Sequence, residues 1–119
     1  MKFDWDIARR ILQVIEDSPK SRGDFDFSAL ALEHEVLHYH LGLLDQRGLI
    51  EAPSSYTLEM TYPVHRVVSM TLAGHELLEV MRNDTMWGNI KSTLKEKGLG
   101  MTLDAIKAAG VWLIHRTFS

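Results

Sequence analysis

The stretch Val36–Ile50 leaves the least freedom of any in this chain. From about Glu33 to Gln46 the apolar positions Val36, Leu37, Leu41, Leu43 and Leu44 fall at helical spacing, and the pattern stops at Arg47-Gly48. A glycine just past a helix supplies the left-handed residue that a helix exit favours. Leu49-Ile50 then begins an extended segment. The chain must therefore turn sharply from a helix, through Gly48, into a sheet.

The flanking segments give this unit its neighbours. Ile7, Ile11, Leu12, Val14 and Ile15 keep helical spacing after Asp4 or Asp6, either of which can cap a helix, and Ser18-Pro19 ends the pattern; a first helix is expected over about residues 4–17. Phe25, Phe27, Ala29 and Ala31 alternate with Asp26, Ser28, Leu30 and Leu32, which reads either as a strand or, from Ser28 onward, as a short helix. Tyr56, Leu58, Met60 and Tyr62 alternate with Thr57, Glu59 and Thr61, and β-branched residues resume over 65–71 after Pro63, so a β-hairpin is expected at about 55–71. Thr71 can cap a helix carrying Leu72, Leu77, Leu78 and Met81. A further helix after Asn83-Asp84 presents Trp87, Ile90 and Leu94 and closes at Gly98, and Thr102 opens a last one with Leu103, Ile106, Val111 and Leu113. Gly110 weakens that last helix by about 1 kcal/mol relative to alanine.

Helix, short element, helix ending in Gly-Leu-Ile, then hairpin is the order a winged helix-turn-helix requires. The expected fold is α+β, mainly helical: one domain over 1–119, with a winged-helix-like core over about 1–83, the hairpin as its wing, and a C-terminal helical extension over about 84–119. A chain of 119 residues with 45% hydrophobic residues can bury about two-thirds of its unfolded surface in one core. With no cysteine there is no disulfide framework, thiolate cluster or cysteine nucleophile. Acids at Asp4 and Asp6 stand where a signal peptide needs an apolar run, and no stretch is long enough to span a bilayer, so a cytoplasmic protein without membrane contact is expected.

The run Tyr39-His40-Leu41-Gly42-Leu43-Leu44-Asp45-Gln46-Arg47-Gly48-Leu49-Ile50 resembles the recognition-helix exit of bacterial winged-helix regulators. Thr71-Leu72-Ala73-Gly74-His75-Glu76-Leu77-Leu78 resembles the segment after their wing. Nearly the whole chain is similar to a phage-associated family catalogued as domain of unknown function 2513. The similarity rests on Met1, Lys2, Asp4 and Asp6; on Tyr39, His40, Leu41, Leu43, Leu44, Gly48, Leu49 and Ile50; and on Thr71, Gly74, His75, Glu76, Asp84, Thr85 and Trp87. It implies a fold and a phage or prophage setting, and it carries no activity. Taken as ordinary structural residues, His40 and His75 are satisfied, partly buried helix histidines, Trp5 and Trp87 are core or dimer-contact aromatics, and Gly48 and Gly74 serve backbone geometry or close packing.

Three functions compete. The first is binding of double-stranded DNA by a transcription-regulator-like protein, with Glu35, His38, Tyr39, Gln46 and Arg47 on the recognition helix and His65 and Arg66 on the wing; Gly42 shares the exposed face, and Arg9, Arg10 and Lys20 could add phosphate contacts. Charge opposes it: the formal net charge is −3, and residues 1–52 hold six Lys/Arg against ten Asp/Glu. Residues 19–32, with Asp24 and Asp26, also lack an obvious scaffold helix. The second is a module for protein partners or for homodimerisation through the C-terminal helices, which carry Trp87, Ile90, Leu94, Leu103, Ile106, Val111, Trp112 and Ile114. The third, remote, is a metallopeptidase, because His34-Glu35-Val36-Leu37-His38 spells the zincin pattern of two histidines one turn apart with a glutamate base. No third ligand stands out, and five letters on a helix already used by the fold are weak support. No catalytic residue, metal or cofactor is expected.

Overall fold

A computed structural model describes residues 1–118 of the chain. The fold is α+β and mainly helical: α1 (Trp5–Asp17), a 3-10 turn (Ser28–Leu30), α2 (His34–Gln46), four short strands β1 (Ile50–Glu51), β2 (Ser54–Ser55), β3 (Val64–His65) and β4 (Ser69–Met70), then α3 (Leu72–Met81), α4 (Asp84–Glu96) and α5 (Leu103–Phe118). They fall into two compact units, Met1–His75 and Glu76–Ser119. No described helix is long and apolar enough to cross a membrane.

In the first unit α1 starts where expected. Asp4 is its N-cap, the carboxylate accepting from the Asp6 N–H at 2.8 Å, an arrangement that satisfies one of the helix's orphan donors. Segment 24–32 becomes neither strand nor full helix. Asp26 accepts from the Ser28 N–H at 2.9 Å, which holds its carboxyl below the usual carboxylate range, and the 3-10 turn ends at Ala31 with φ +53. Only Leu30 is buried there, too little apolar surface to sustain a longer helix. The core of this unit is Ile11, Leu12 and Ile15 from α1, Leu41 and Leu44 from α2, and Leu49, Ile50 and Met70 around the strands, each fully buried aliphatic side chain contributing about 1.5–3 kcal/mol. Gly48 takes φ +72 at the exit of α2, and its N–H returns to the Asp45 carbonyl at 2.9 Å.

The hairpin starts earlier than its sequence alternation indicates. Its paired residues are Ile50↔Met70, Glu51↔Ser69, Ser54↔His65 and Ser55↔Val64, antiparallel throughout. Two residues separate the pairs on the outgoing side and three on the return, so the return side carries a β-bulge. Residues 56–62, expected to be strand up to the break at Pro63, form the tip, with the Met60 N–H closing a turn onto the Thr57 carbonyl at 3.0 Å. The reason is burial: Tyr56 is 61% exposed and Leu58 fully exposed, so alternation there has no face to cover.

The hairpin and α3 are joined through Thr71. Its hydroxyl donates to the Gly48 carbonyl and accepts the Gly74 N–H at 3.1 Å, while its N–H bonds the Leu49 carbonyl at 3.1 Å. Gly74 lies against that Leu49 carbonyl so closely that no side chain fits.

In the second unit Asn83 caps α4 by accepting the Met86 N–H at 3.0 Å, Gly98 leaves it with φ +67, and Thr102 caps α5 through the Ala105 N–H. Trp87, Ile90 and Leu94 of α4 and Leu103, Ile106 and Ala109 of α5 are buried, so Trp87 is a core residue. Gly110, costly to helix propensity, lets α5 approach Val80: a Cβ there would stand 2.3 Å from Val80 Cγ1. Val111, Trp112 and Ile114 face outward.

Candidate functional site

The Asp4 N–H donates to His40 Nε2 at 3.0 Å, and His40 Nδ1 donates to the Val36 carbonyl at 2.8 Å. At 1% exposure, with Phe3 stacked on its ring at 5.1 Å, His40 ties the start of the chain to α2. It is a structural histidine, as expected. His75 is different: it is exposed, 3.9 Å from the Glu16 carboxylate.

One face of α2 carries His34, His38 and Gly42 at four-residue spacing, and the hairpin lays rings on it. His34 Nδ1 and the Tyr62 hydroxyl share a hydrogen bond of 2.6 Å; the His34 and His38 rings lie 4.3 Å apart, and those of His38 and His65 stack at 6.4 Å. Gly42 makes the space for His65, since a Cβ there would sit 2.8 Å from His65 Nε2.

These rings also complete the hairpin's backbone bonding. The Arg66 N–H crosses to the Pro53 carbonyl at 3.1 Å, so alternation turns the His65 N–H away from the partner strand, where His38 Nδ1 accepts it at 2.8 Å. Across the hairpin, the Ala52 N–H donates to the Asp45 carboxylate at 2.8 Å, and the Ala52 carbonyl accepts His65 Nδ1–H at 2.8 Å. The His65 N–H fixes the ring state of His38. His38, accepting at Nδ1, is neutral with its proton on Nε2; His65 donates from Nδ1 to the Ala52 carbonyl. Burial, with the charges His34 and His65 can carry, holds the His38 pKa below its ordinary value.

This arrangement bears on the zincin spelling. A neutral imidazole that ligates zinc through Nε2 carries its proton on Nδ1, where His38 would point a donor at the His65 N–H. Metal at His38 thus costs one of the bonds that tie the hairpin to α2. Among the described residues no group of three His, Cys, Asp or Glu is placed to hold a metal ion.

Between α2 and the hairpin lies a groove of about 490 Å³, lined by Met1, Glu35, His38, Tyr39, Gly42, Leu43, Asp45, Gln46, Ser54, Tyr62, Pro63 and His65. Five of the seven residues singled out as DNA contacts, Glu35, His38, Tyr39, Gln46 and His65, therefore meet in one place. His38 is 8% exposed and committed to the hairpin backbone, so it is a wall of the groove and not a free reading side chain. Arg47 is exposed at the C-cap of α2 outside this lining, and Arg66 lines a second cavity of about 530 Å³ with Asp24, Phe25, Asp26, Phe27 and His34. Arg9, Arg10 and Lys20 are absent from the groove, and Arg10 Nη2 donates to the Leu30 carbonyl at 3.3 Å. Tyr62 and the Asp45 bond to the hairpin were not foreseen. The available signal was the stripe His34, His38, Gly42: a glycine one turn beyond two rings marks where something large must fit.

The model of the family described as "Hypothetical protein (DUF2513)" matches residues 2–100. A protein of Haemophilus influenzae described as "Uncharacterized protein" is 38% identical over 117 residues, covering 98% of each chain. No solved structure matches. Matched over most of its length by the family model, the chain belongs to the DUF2513 family.

Proposed function

We propose that this protein is a winged-helix-like interaction module whose groove between α2 and the hairpin receives a segment of a partner protein that presents apolar side chains flanked by Lys or Arg. The groove's composition carries the proposal: Met1, Tyr39, Leu43, Tyr62 and Pro63 supply apolar surface, Glu35 and Asp45 supply acid, and among the described residues no lysine or arginine lines it. A phosphate backbone needs cations on the surface that meets it, whereas aromatic and apolar anchors ringed by charge of one sign suit a peptide of the opposite sign. The volume accommodates a few side chains, as a groove for a short segment should. In a phage setting the partner would be a phage or host protein.

A photoreactive benzoyl-phenylalanine at Tyr39 tests this in cells. Nuclease-resistant, protease-sensitive adducts that disappear with Glu35→Lys support a protein partner. Nuclease-sensitive adducts, or none at all from Tyr39, refute it.

Duplex DNA is the second candidate, favoured by the order α1, 3-10 turn, α2, hairpin and by the exposed Arg47 and Arg66. The same order would place α2 as recognition helix with its scaffold helix reduced to one 3-10 turn. In this reading self-association would use α5, whose Val111, Trp112 and Ile114 are exposed.

A further inference from the structure

His38 and His65 are shared by the linings of the acidic groove and of the second cavity toward Phe25 and Phe27. The two rings form the wall between them. We propose that this wall is a proton-operated gate: protonation of His38 Nδ1 replaces its acceptor lone pair with a donor, expels the His65 N–H, and lets the hairpin lift from α2 so that the two cavities join. That the opened space serves a partner rests on the groove function proposed above; the gate itself does not.

The geometry gives the gate its direction. A ring nitrogen that accepts a backbone N–H cannot also bind a proton, because two donors would then face each other. Protonation of His34 and His65, at ring separations of 4.3 and 6.4 Å, opposes a third charge on His38 and adds repulsion once it forms. The other titratable or charged side chains lining the two cavities that His38 borders are Glu35, Tyr39 and Asp45 on α2, Tyr62 and Arg66 on the hairpin, and Asp24 and Asp26 on the loop before the 3-10 turn. The carboxylates favour the cationic ring and Arg66 opposes it. Burial first, then the charges His34 and His65 can carry, hold the His38 pKa below its ordinary value while the gate is closed. Gly42 contributes by letting the His65 ring lie directly on α2.

The test is an NMR titration of the full chain alone, from pH 8 to 5, following the histidine ring nitrogens and the backbone amides of His65 and Arg66. At neutral pH His38 should show the Nε2–H tautomer. On acidification its ring should titrate with the same midpoint as the His65 amide shift, and His65 exchange, corrected for its intrinsic pH dependence, should rise about tenfold or more while Arg66, bonded within the hairpin, changes less. In His38→Asn, whose Oδ1 stands where Nδ1 accepts but does not titrate, His65 protection should not vary with pH. A flat wild-type profile, or the same pH dependence in a folded His38→Asn, overturns the gate. If that variant does not fold, the paired midpoints of the wild type decide. These readouts use no partner, so a gate that opens beside an absent adduct at Tyr39 would sink the groove function and leave the gate standing.

Discussion

Replacing Gly74 with alanine should damage the first unit out of proportion to one methyl group. A Cβ at Gly74 stands 2.0 Å from the Leu49 carbonyl oxygen and 2.7 Å from Met70 Cγ, whereas non-bonded heavy atoms are most comfortable at about 3.5–4.0 Å. Met70 can swing its side chain aside, but the Leu49 carbonyl is backbone, so α3 and the strand must separate by more than about 1 Å. Overpacking of this kind costs about 1–3 kcal/mol. The separation also strains the Thr71 N–H bond to Leu49 and the Thr71 hydroxyl bond to Gly48, each with a net value of about 1 kcal/mol. Alanine's better helix propensity returns up to about 1 kcal/mol. The balance is a loss of about 2–4 kcal/mol, a fall in Tm of roughly 10–25 °C for a domain of this size. Calorimetry gives the midpoint, and amide signals of Leu41 and Leu44 identify the unit that melts. Gly88→Ala is the control: it lies in α4 with nothing within 4 Å of its Cβ position, and it should gain about 0.5–1 kcal/mol. A Gly74→Ala midpoint within about 2 °C of wild type would refute the reasoning, because even the minimum loss would be missing.

Other outcomes follow from the same geometry. The lowered His38 pKa means that its neutral form is favoured by folding; its contribution to stability is complete above the unfolded value of about 6.5 and declines as pH falls through the lower folded value. Urea midpoints should therefore drop between pH 7 and 5, less so in His38→Asn, and equal slopes for the two proteins would contradict this. Gly42→Ala should displace the His65 ring and weaken its bond to Ala52, costing about 1 kcal/mol; an unchanged His65 tautomer in NMR would show that the space is slack. Duplex DNA at low ionic strength should give no salt-sensitive shift, and a steep salt dependence that Arg47→Ala and Arg66→Ala reduce would restore DNA as the ligand. Ile114→Glu should turn a dimer into a monomer in light scattering, whereas a wild-type monomer at tens of micromolar would remove self-association from α5.

How much could be read without coordinates depended on distance along the chain. The exit of α2 through Gly48, the Thr71 cap, the choice of Asp4 over Asp6 as cap of α1 and the start of α4 after Asn83 are local events, each decided within a few residues. The tip of the hairpin was misread because Tyr56 and Leu58 alternate without a surface to cover, and alternation reports burial only when something lies beneath. Segment 24–32 was ambiguous for a related reason, since only Leu30 reaches the interior. At the site, Glu35, Tyr39 and Gln46 could be placed on the outer face of α2 by spacing alone. Spacing reads His38 as another outward side chain of α2 and cannot show that a backbone N–H twenty-seven residues away holds its ring. Asp4 with His40, and Gly48 and Leu49 with Thr71 and Gly74, show that many residues carrying the family resemblance are joints between elements.

A two-stranded ribbon ordinarily offers its unpaired amides and carbonyls to any extended chain that passes, and many recognition domains bind in that way. In this protein the offer is withdrawn at the base of the hairpin: His38 occupies the outward N–H of His65, and Asp45 and the His65 ring occupy both polar groups of Ala52. While those bonds hold, a partner gains little by lying alongside as another strand. It must be recognised by the shape and charge of its side chains, and the same occupied groups protect the free protein from pairing hairpin to hairpin with its own copies.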